Sequence, residues 1–164
     1  MVNQSLFDDP LPYKYLLDTS AAISQKDKDE KHYRGVDASL WQNIDQLIRS
    51  KVIVSCSEVR EEIDRKDDVI KEWFKDVGCF CLDIDEEVQR TVTAILKKHP
   101  RLVNFSKNKS SADAFLIATA MKWNLIVVTE EDKRGQFKIP MVCKALQQDC
   151  IDIYDLCERE GWRF

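Results

Sequence analysis

The chain has 164 residues, enough for one compact domain with a full-sized hydrophobic core. Its 44% apolar and 33% charged residues are typical of a folded, water-soluble protein and exclude a disordered chain. The formal net charge of -4 argues against a protein that binds nucleic acid mainly through bulk positive charge.

The segment before the first apolar run is not expected to be an export signal, because it lacks a positive start followed by an apolar stretch. We therefore expect residues 1–14 to form an N-terminal arm and residues 15–164 to form a single domain. No apolar run approaches the roughly 20 residues of a membrane helix, so we expect a cytoplasmic protein without a membrane partner. The six cysteines are then reduced thiols, and the Cys79-x-Cys81 spacing predicts burial and not a zinc site.

Apolar residues at strand and helix spacing define the first half of the chain. In order, we predict a strand at Tyr15–Leu17, a helical turn at 21–23, a loop at 24–36, a helix at 36–50, a strand at 51–54 and a helix whose Val59 and Ile63 face inward. Ser20 is the candidate cap of the helical turn. Ser55 and Ser57 are alternative candidate caps of the helix after the second strand.

The second half alternates in the same way. We predict, in order, a helix that starts at Asp67 or Asp68 and ends at Gly78, a strand at 80–82, a helix from 85 that stops before Pro100, a helix that opens at 110–113 and a strand at 125–128. Residues 138–146 and 150–154 are predicted as edge strands or short helices, and 155–162 as a final helical turn or two. This alternation predicts the α/β class, as a three-layer α/β/α domain with a central, mainly parallel sheet.

Acidic residues recur where the strands of this sheet end and where the neighbouring helices begin. They are, in chain order, Asp18, then Glu58, Glu61 and Glu62, then Asp113, and finally Glu130, Glu131 and Asp132. Ligands of open parallel sheets bind beyond the carboxyl ends of the strands. Converging carboxylates repel one another unless a cation neutralises them, and hard oxygen ligands favour magnesium or manganese. The pattern thus predicts a cation site at this edge.

Four segments together resemble the PIN-domain nuclease superfamily. They are LLDTS, SEVREEI, SADAFLIATAM and LIVVTEED, and the resemblance covers roughly residues 15 to 145. The DAFLIATA and VVTEE segments are the more specific, whereas LLDTS alone is not. The C-terminal EGWRF suggests an uncharacterised bacterial branch of that superfamily.

The resemblance implies a magnesium- or manganese-dependent ribonuclease that hydrolyses RNA phosphodiester bonds. Matched to its motifs, the catalytic and metal-binding acids are Asp18, Glu62, Asp113 and Glu131, with Glu58, Glu130 and Asp132 as alternatives. Hydroxyls expected to orient these carboxylates are those of Thr19, Ser20 and Thr129. The chain departs from the T-x-D pattern at Glu131, where the longer side chain shifts the metal or leaves it bridged by water.

The resemblance also implies partners. The superfamily includes toxins of bacterial toxin–antitoxin pairs, so an antitoxin peptide over the acidic groove and a homodimer are expected if this chain is one of them. Trp41 and Trp73 are candidates for such an interface or for the core. A non-catalytic binding module remains an alternative, as does, more distantly, a phosphatase- or receiver-like protein. A histidine base is not expected, since His32 and His99 both lie in charged segments.

Overall fold

The computed structural model describes residues 10–102 and 112–164. Residues 1–9 of the expected arm and 110–111 of the expected helix opening lie outside them. The strands are β1 (Tyr15–Leu17), β2 (Ile53–Cys56), β3 (Cys81–Leu82), β4 (Ile126–Val128) and β5 (Cys150–Ile151). The helices are α1 (Thr19–Ile23), α2 (Ala38–Arg49), α3 (Ser57–Lys66), α4 (Asp68–Asp76), α5 (Glu86–Lys98), α6 (Ala112–Trp123), α7 (Ile139–Ala145) and α8 (Ile153–Glu160), with a 3₁₀ turn at Pro100–Leu102.

The five strands form one sheet in the order β3-β2-β1-β4-β5, and every pairing is parallel. Helices cover the sheet in a three-layer α/β/α arrangement, which confirms the predicted fold class. β1 is fully buried at the centre, where Leu17 pairs with Val128. The next residue, Asp18, donates its backbone N–H to the Val128 carbonyl at 2.9 Å. The sheet therefore places Asp18 at the middle of its carboxyl edge.

Two local predictions are wrong. β2 begins two residues later than expected, because Lys51 turns the chain after α2 with a φ of 63° and the strand starts only at Ile53. The proposed serine caps are also absent: α1 and α3 start after Asp18 and Cys56, and neither cap makes a side-chain hydrogen bond. Ser55 instead donates its hydroxyl to the Leu17 carbonyl at 2.8 Å and ties β2 to β1.

Trp41 belongs to the core. Its side chain is fully buried, and its Nε1 donates to the His32 carbonyl at 2.6 Å. The Trp41 ring meets the partly buried Trp73 edge-on, with 5.9 Å between centroids. Trp41 is therefore no part of an exposed interface.

The burial predicted for Cys79 and Cys81 is confirmed, since both side chains are buried. Within the described ranges, no helix combines the length and the apolar character needed to span a membrane.

Candidate active site

The four acids matched in the sequence come together around one cavity of about 630 Å³ at the carboxyl edge of the sheet. Asp18 follows β1, Glu131 lies in the segment after β4, Glu62 lies on the buried face of α3, and Asp113 lies in the first turn of α6. Each arrives on a different element, although they lie up to 113 residues apart along the chain. The parallel topology produces this convergence, because β1 and β4 are neighbours and end at the same edge.

Two hydroxyls orient the Asp18 carboxylate. Ser20 Oγ and Thr129 Oγ1 donate to Asp18 Oδ2 at 2.6 and 2.8 Å, and the two hydroxyl oxygens lie 3.1 Å apart. Each hydroxyl is held in turn by a backbone N–H of the segment after β4: that of Glu130 donates to Ser20 and that of Glu131 to Thr129. Thr19 is different, since its buried Oγ1 finds no hydrogen-bond partner in the described part of the chain and does not orient Asp18.

The Asp18 carboxyl lies in an environment that raises its pKa. Its side chain is buried, with 4% of the residue exposed. Burial first, and then the charge of Glu131, raise the pKa of Asp18 from 3.8 to about 6, against the hydrogen bonds from Ser20 and Thr129. The charge of Glu62 adds to the rise in pKa. Negative charge is therefore crowded around Asp18, and a cation in the cavity would relieve it.

Glu131 and Glu62 are both engaged at the cavity wall. Glu131 Oε2 accepts the backbone N–H of Ile139, the first residue of α7, at 2.8 Å. Glu62 Oε1 lies 3.6 Å from Lys66 Nζ, one helical turn away on α3. Asp113 is buried, with 7% exposed. The two glutamates are thus held near the cavity, but their carboxylates point partly to other partners.

The three alternative acids are either engaged with other groups or lie outside the cavity lining. Glu130 lines the cavity, but its Oε1 lies 3.1 Å from His32 Nε2 and its Oε2 accepts the N–H of Ile153 at 2.9 Å. Asp132 is exposed and accepts the N–H of Arg134, outside the cavity lining. Glu58 is half-buried and also lies outside the lining.

Sequence reasoning missed two features of the site. His32 lies in a charged loop, yet its ring is buried and fastens that loop to Glu130. No pattern around His32 signals this contact, because the partner lies 98 residues away. Three lysines, Lys31, Lys66 and Lys138, also line the cavity. Of these, only the Lys66–Glu62 pair is readable from the sequence, through its i, i+4 spacing.

A family model described as a domain of unknown function, DUF4411, matches residues 15–164. The chain belongs to the DUF4411 family. A crystal structure of PAE2754 from Pyrobaculum aerophilum is similar to this DUF4411 protein with a TM-score of 0.53 and 15% sequence identity, over 94% of each chain. At that identity the likeness shows a shared fold only. The search of curated proteins found no match.

The donor chemistry of the DUF4411 site fits a hard divalent cation, because every candidate ligand is a carboxylate. The side chains as they stand do not form a closed coordination shell: among residues 10–102 and 112–164, no three Asp, Glu, His or Cys side chains are grouped closely enough to hold an ion. Glu131 is engaged with Ile139, and Glu62 with Lys66. Holding an ion would require the cavity carboxylates to move closer together.

Proposed function

We propose that this DUF4411 protein is a magnesium- or manganese-dependent endoribonuclease that hydrolyses RNA phosphodiester bonds. One observation carries the proposal: Asp18, Glu62, Asp113 and Glu131, each from a separate element, line a single cavity at the carboxyl edge of a parallel sheet. The resemblance of the same four segments to PIN-domain nucleases supports it, because their acids are the ones that line the cavity.

In this proposal Asp18 and Asp113 hold the ion, and Glu62 and Glu131 complete its ligands or hold the attacking water. When bound, the ion makes hydroxide available near neutral pH and neutralises negative charge on the reacting phosphate. Ser20 and Thr129 keep Asp18 in one orientation, with both of their hydrogen bonds on Oδ2. Among the described residues Oδ1 accepts no hydrogen bond, so Asp18 keeps one oxygen for the ion.

The cellular role is part of the same proposal. A toxin of a toxin–antitoxin pair would act on cytoplasmic RNA and be silenced by an antitoxin peptide over the acidic cavity, and a homodimer would fit that role. The buried Trp41 contributes nothing to such an assembly. Co-purification of a small partner protein encoded next to this chain would support the toxin role, and its displacement should restore cleavage.

The test is cleavage of a mixed RNA pool in the presence of manganese, by wild type and by Asp18→Asn. We expect the wild type to cleave, chelation of the metal to stop cleavage, and Asp18→Asn to lose at least ~100-fold in rate, as expected when a catalytic electrostatic group is removed. Asp132→Asn is the matched control: it removes the same charge from an exposed acid outside the cavity.

Equal cleavage by Asp18→Asn and Asp132→Asn would contradict the proposal. So would manganese binding at Asp18 and Asp113 without any cleavage, which would favour the non-catalytic binding module.

A further inference from the structure

Lys138 differs from the other lysines of the acidic cavity. Lys31 Nζ lies 3.7 Å from Glu130 Oε1, and Lys66 Nζ lies 3.6 Å from Glu62 Oε1. Lys138 lines the same cavity but makes no salt bridge with any residue of the described ranges. It is exposed at the rim, so its charge is available to an anion that enters the cavity.

The stem of Lys138 is placed by the absence of a side chain at Gly135. A Cβ at position 135 would lie 2.4 Å from Lys138 Cγ, closer than the two atoms can approach, and 3.2 Å from Lys138 Cβ, a tight contact. Gly135 does not have a positive φ, unlike Gly78 and Gly161, so its backbone conformation does not demand glycine. The requirement at position 135 is space for the lysine.

The segment that carries both residues is fixed by hydrogen bonds. Asp132 Oδ1 accepts the N–H of Arg134 at 2.9 Å, and the Asp132 carbonyl accepts that of Gly135 at 3.3 Å. The Gly135 carbonyl accepts the N–H of Lys138 at 3.2 Å. The N–H of the next residue, Ile139, donates to Glu131. Lys138 is thus tied through this turn to an acid of the cavity.

We propose that Lys138 binds a phosphate of the RNA next to the phosphate that is cleaved, and that Gly135 is the positioning residue that keeps it there. This inference rests on the proposed function. The cavity acids repel a free polyanion, so a cation at the rim compensates at the point where the chain enters. The substrate class it implies is an oligonucleotide with at least two adjacent phosphates, one at the acids and one at Lys138.

Steady-state cleavage of a defined single-stranded RNA tests the contact. Lys138→Ala should lower kcat/KM by about 10-fold, mainly through KM, because a charge-assisted hydrogen bond to phosphate contributes binding in both ground and transition state. It should also reduce the slope of log affinity against log salt by about 0.7, the value for one phosphate contact on a single strand. Lys138→Arg should restore most of the loss.

Lys144→Ala is the matched control, since Lys144 is exposed on α7 and lies outside the acidic cavity. Gly135→Ala should raise KM like Lys138→Ala, and the double variant should be no worse than either single variant, because both changes remove one interaction. Additive losses, or a Lys138→Ala no weaker than Lys144→Ala, would overturn the inference. Unfolding midpoints of all variants identify any general loss of folding.

Binding of a fluorescein-labelled RNA to the full chain, measured in the Asp18→Asn background, separates this inference from the proposed function. Weaker binding by Lys138→Ala but not by Lys144→Ala supports the phosphate contact even if the wild type cleaves nothing. Cleavage by the wild type together with equal binding by the two lysine variants would support the proposed nuclease function. The same result would exclude a role for Lys138 in substrate binding.

Discussion

Replacing Asp18 with Asn should stabilise the metal-free protein at neutral pH. Burial and the charge of Glu131 raise the pKa of Asp18 from its ordinary 3.8 to about 6. That rise of about two pH units, at ~1.4 kcal/mol each, means that ionised Asp18 costs the fold about 3 kcal/mol. Asn removes the charge, and its side-chain oxygen still accepts from Ser20 and Thr129. We expect a net gain of about 1–3 kcal/mol in the free energy of unfolding.

The raised pKa of Asp18 also predicts how the stability difference between wild type and Asp18→Asn changes with pH. Because the pKa of Asp18 is higher in the folded state than in the unfolded chain, its contribution to stability is fully present below pH 3.8 and is lost as pH rises through about 6. Wild type should therefore lose stability relative to Asp18→Asn between these values. At pH 7.5 the variant should unfold at a temperature higher by several degrees, at ~2–4 °C per kcal/mol for a domain of this size.

The assay is urea unfolding in chelator at pH 4 and pH 7.5, on wild type, Asp18→Asn and the exposed control Asp132→Asn. The control should show no such pH-dependent gain. An Asp18→Asn chain that is less stable than wild type at pH 7.5 would refute the reasoning, as would a stability difference that is the same at both pH values.

Three further outcomes concern the scaffold around the site. Asp152→Ala should lower the free energy of unfolding by about 1–2 kcal/mol at pH 7, through the lost cap of α8 and the lost contact with Lys133, and by less at pH 3. Burial alone would raise the pKa of Asp152, but Lys133 and the cap bond outweigh burial and hold that pKa below its ordinary value. An equal loss in urea unfolding at both pH values would contradict this charge contribution. Trp41→Phe should lower the free energy of unfolding in urea by about 2–3 kcal/mol, because the buried His32 carbonyl loses its donor and a smaller ring leaves a void. An unchanged midpoint would show that the Trp41–His32 hydrogen bond contributes little. Gly161→Ala should lower the free energy of unfolding by about 1 kcal/mol, because α8 ends at this residue with a φ of 69°, which strains a residue that has a Cβ. A Cβ there would meet no atom within 4 Å, so the loss would come from the backbone and not from a clash. A thermal midpoint equal to that of wild type would exclude this backbone strain.

The spacing of apolar residues in the sequence was sufficient to predict most helices and strands, because elements that pack against the core bury apolar residues at regular intervals. The helices capped by Asp67 and Asp85 start where their acids predicted, and Asp67 and Asp85 accept from the backbone three residues on. β2 was misplaced because Lys51 and Val52 look like strand residues, while the positive φ of Lys51 depends on how α2 ends. Ser55 and Ser20 were assigned to local caps, but the Ser55 hydroxyl donates across the sheet to Leu17, and the Ser20 hydroxyl donates to the Asp18 carboxylate instead of capping a backbone N–H.

The candidate site, like the fold, was predictable from the sequence only in part. The acids after β1 and β4 follow from topology, since parallel neighbouring strands end at one edge. Their individual engagement does not: Glu131 binds the start of α7, and Glu130 binds His32 and the start of α8. These contacts join residues from 8 to 98 positions apart and depend on how the helices pack. The unpaired charge of Lys138 among the described residues, and the space it needs at Gly135, likewise depend on the folded structure.

The central claim is that these carboxylates can gather around one divalent ion. A calorimetric titration of metal-free protein with manganese tests this claim. The proteins compared are wild type, Asp18→Asn, Asp113→Asn and Asp132→Asn. We predict one or two bound ions in wild type and in Asp132→Asn. In the two cavity variants we predict an affinity at least ~10-fold weaker, which corresponds to the loss of about one charged ligand contact. Manganese affinity that is the same in all four proteins would contradict it.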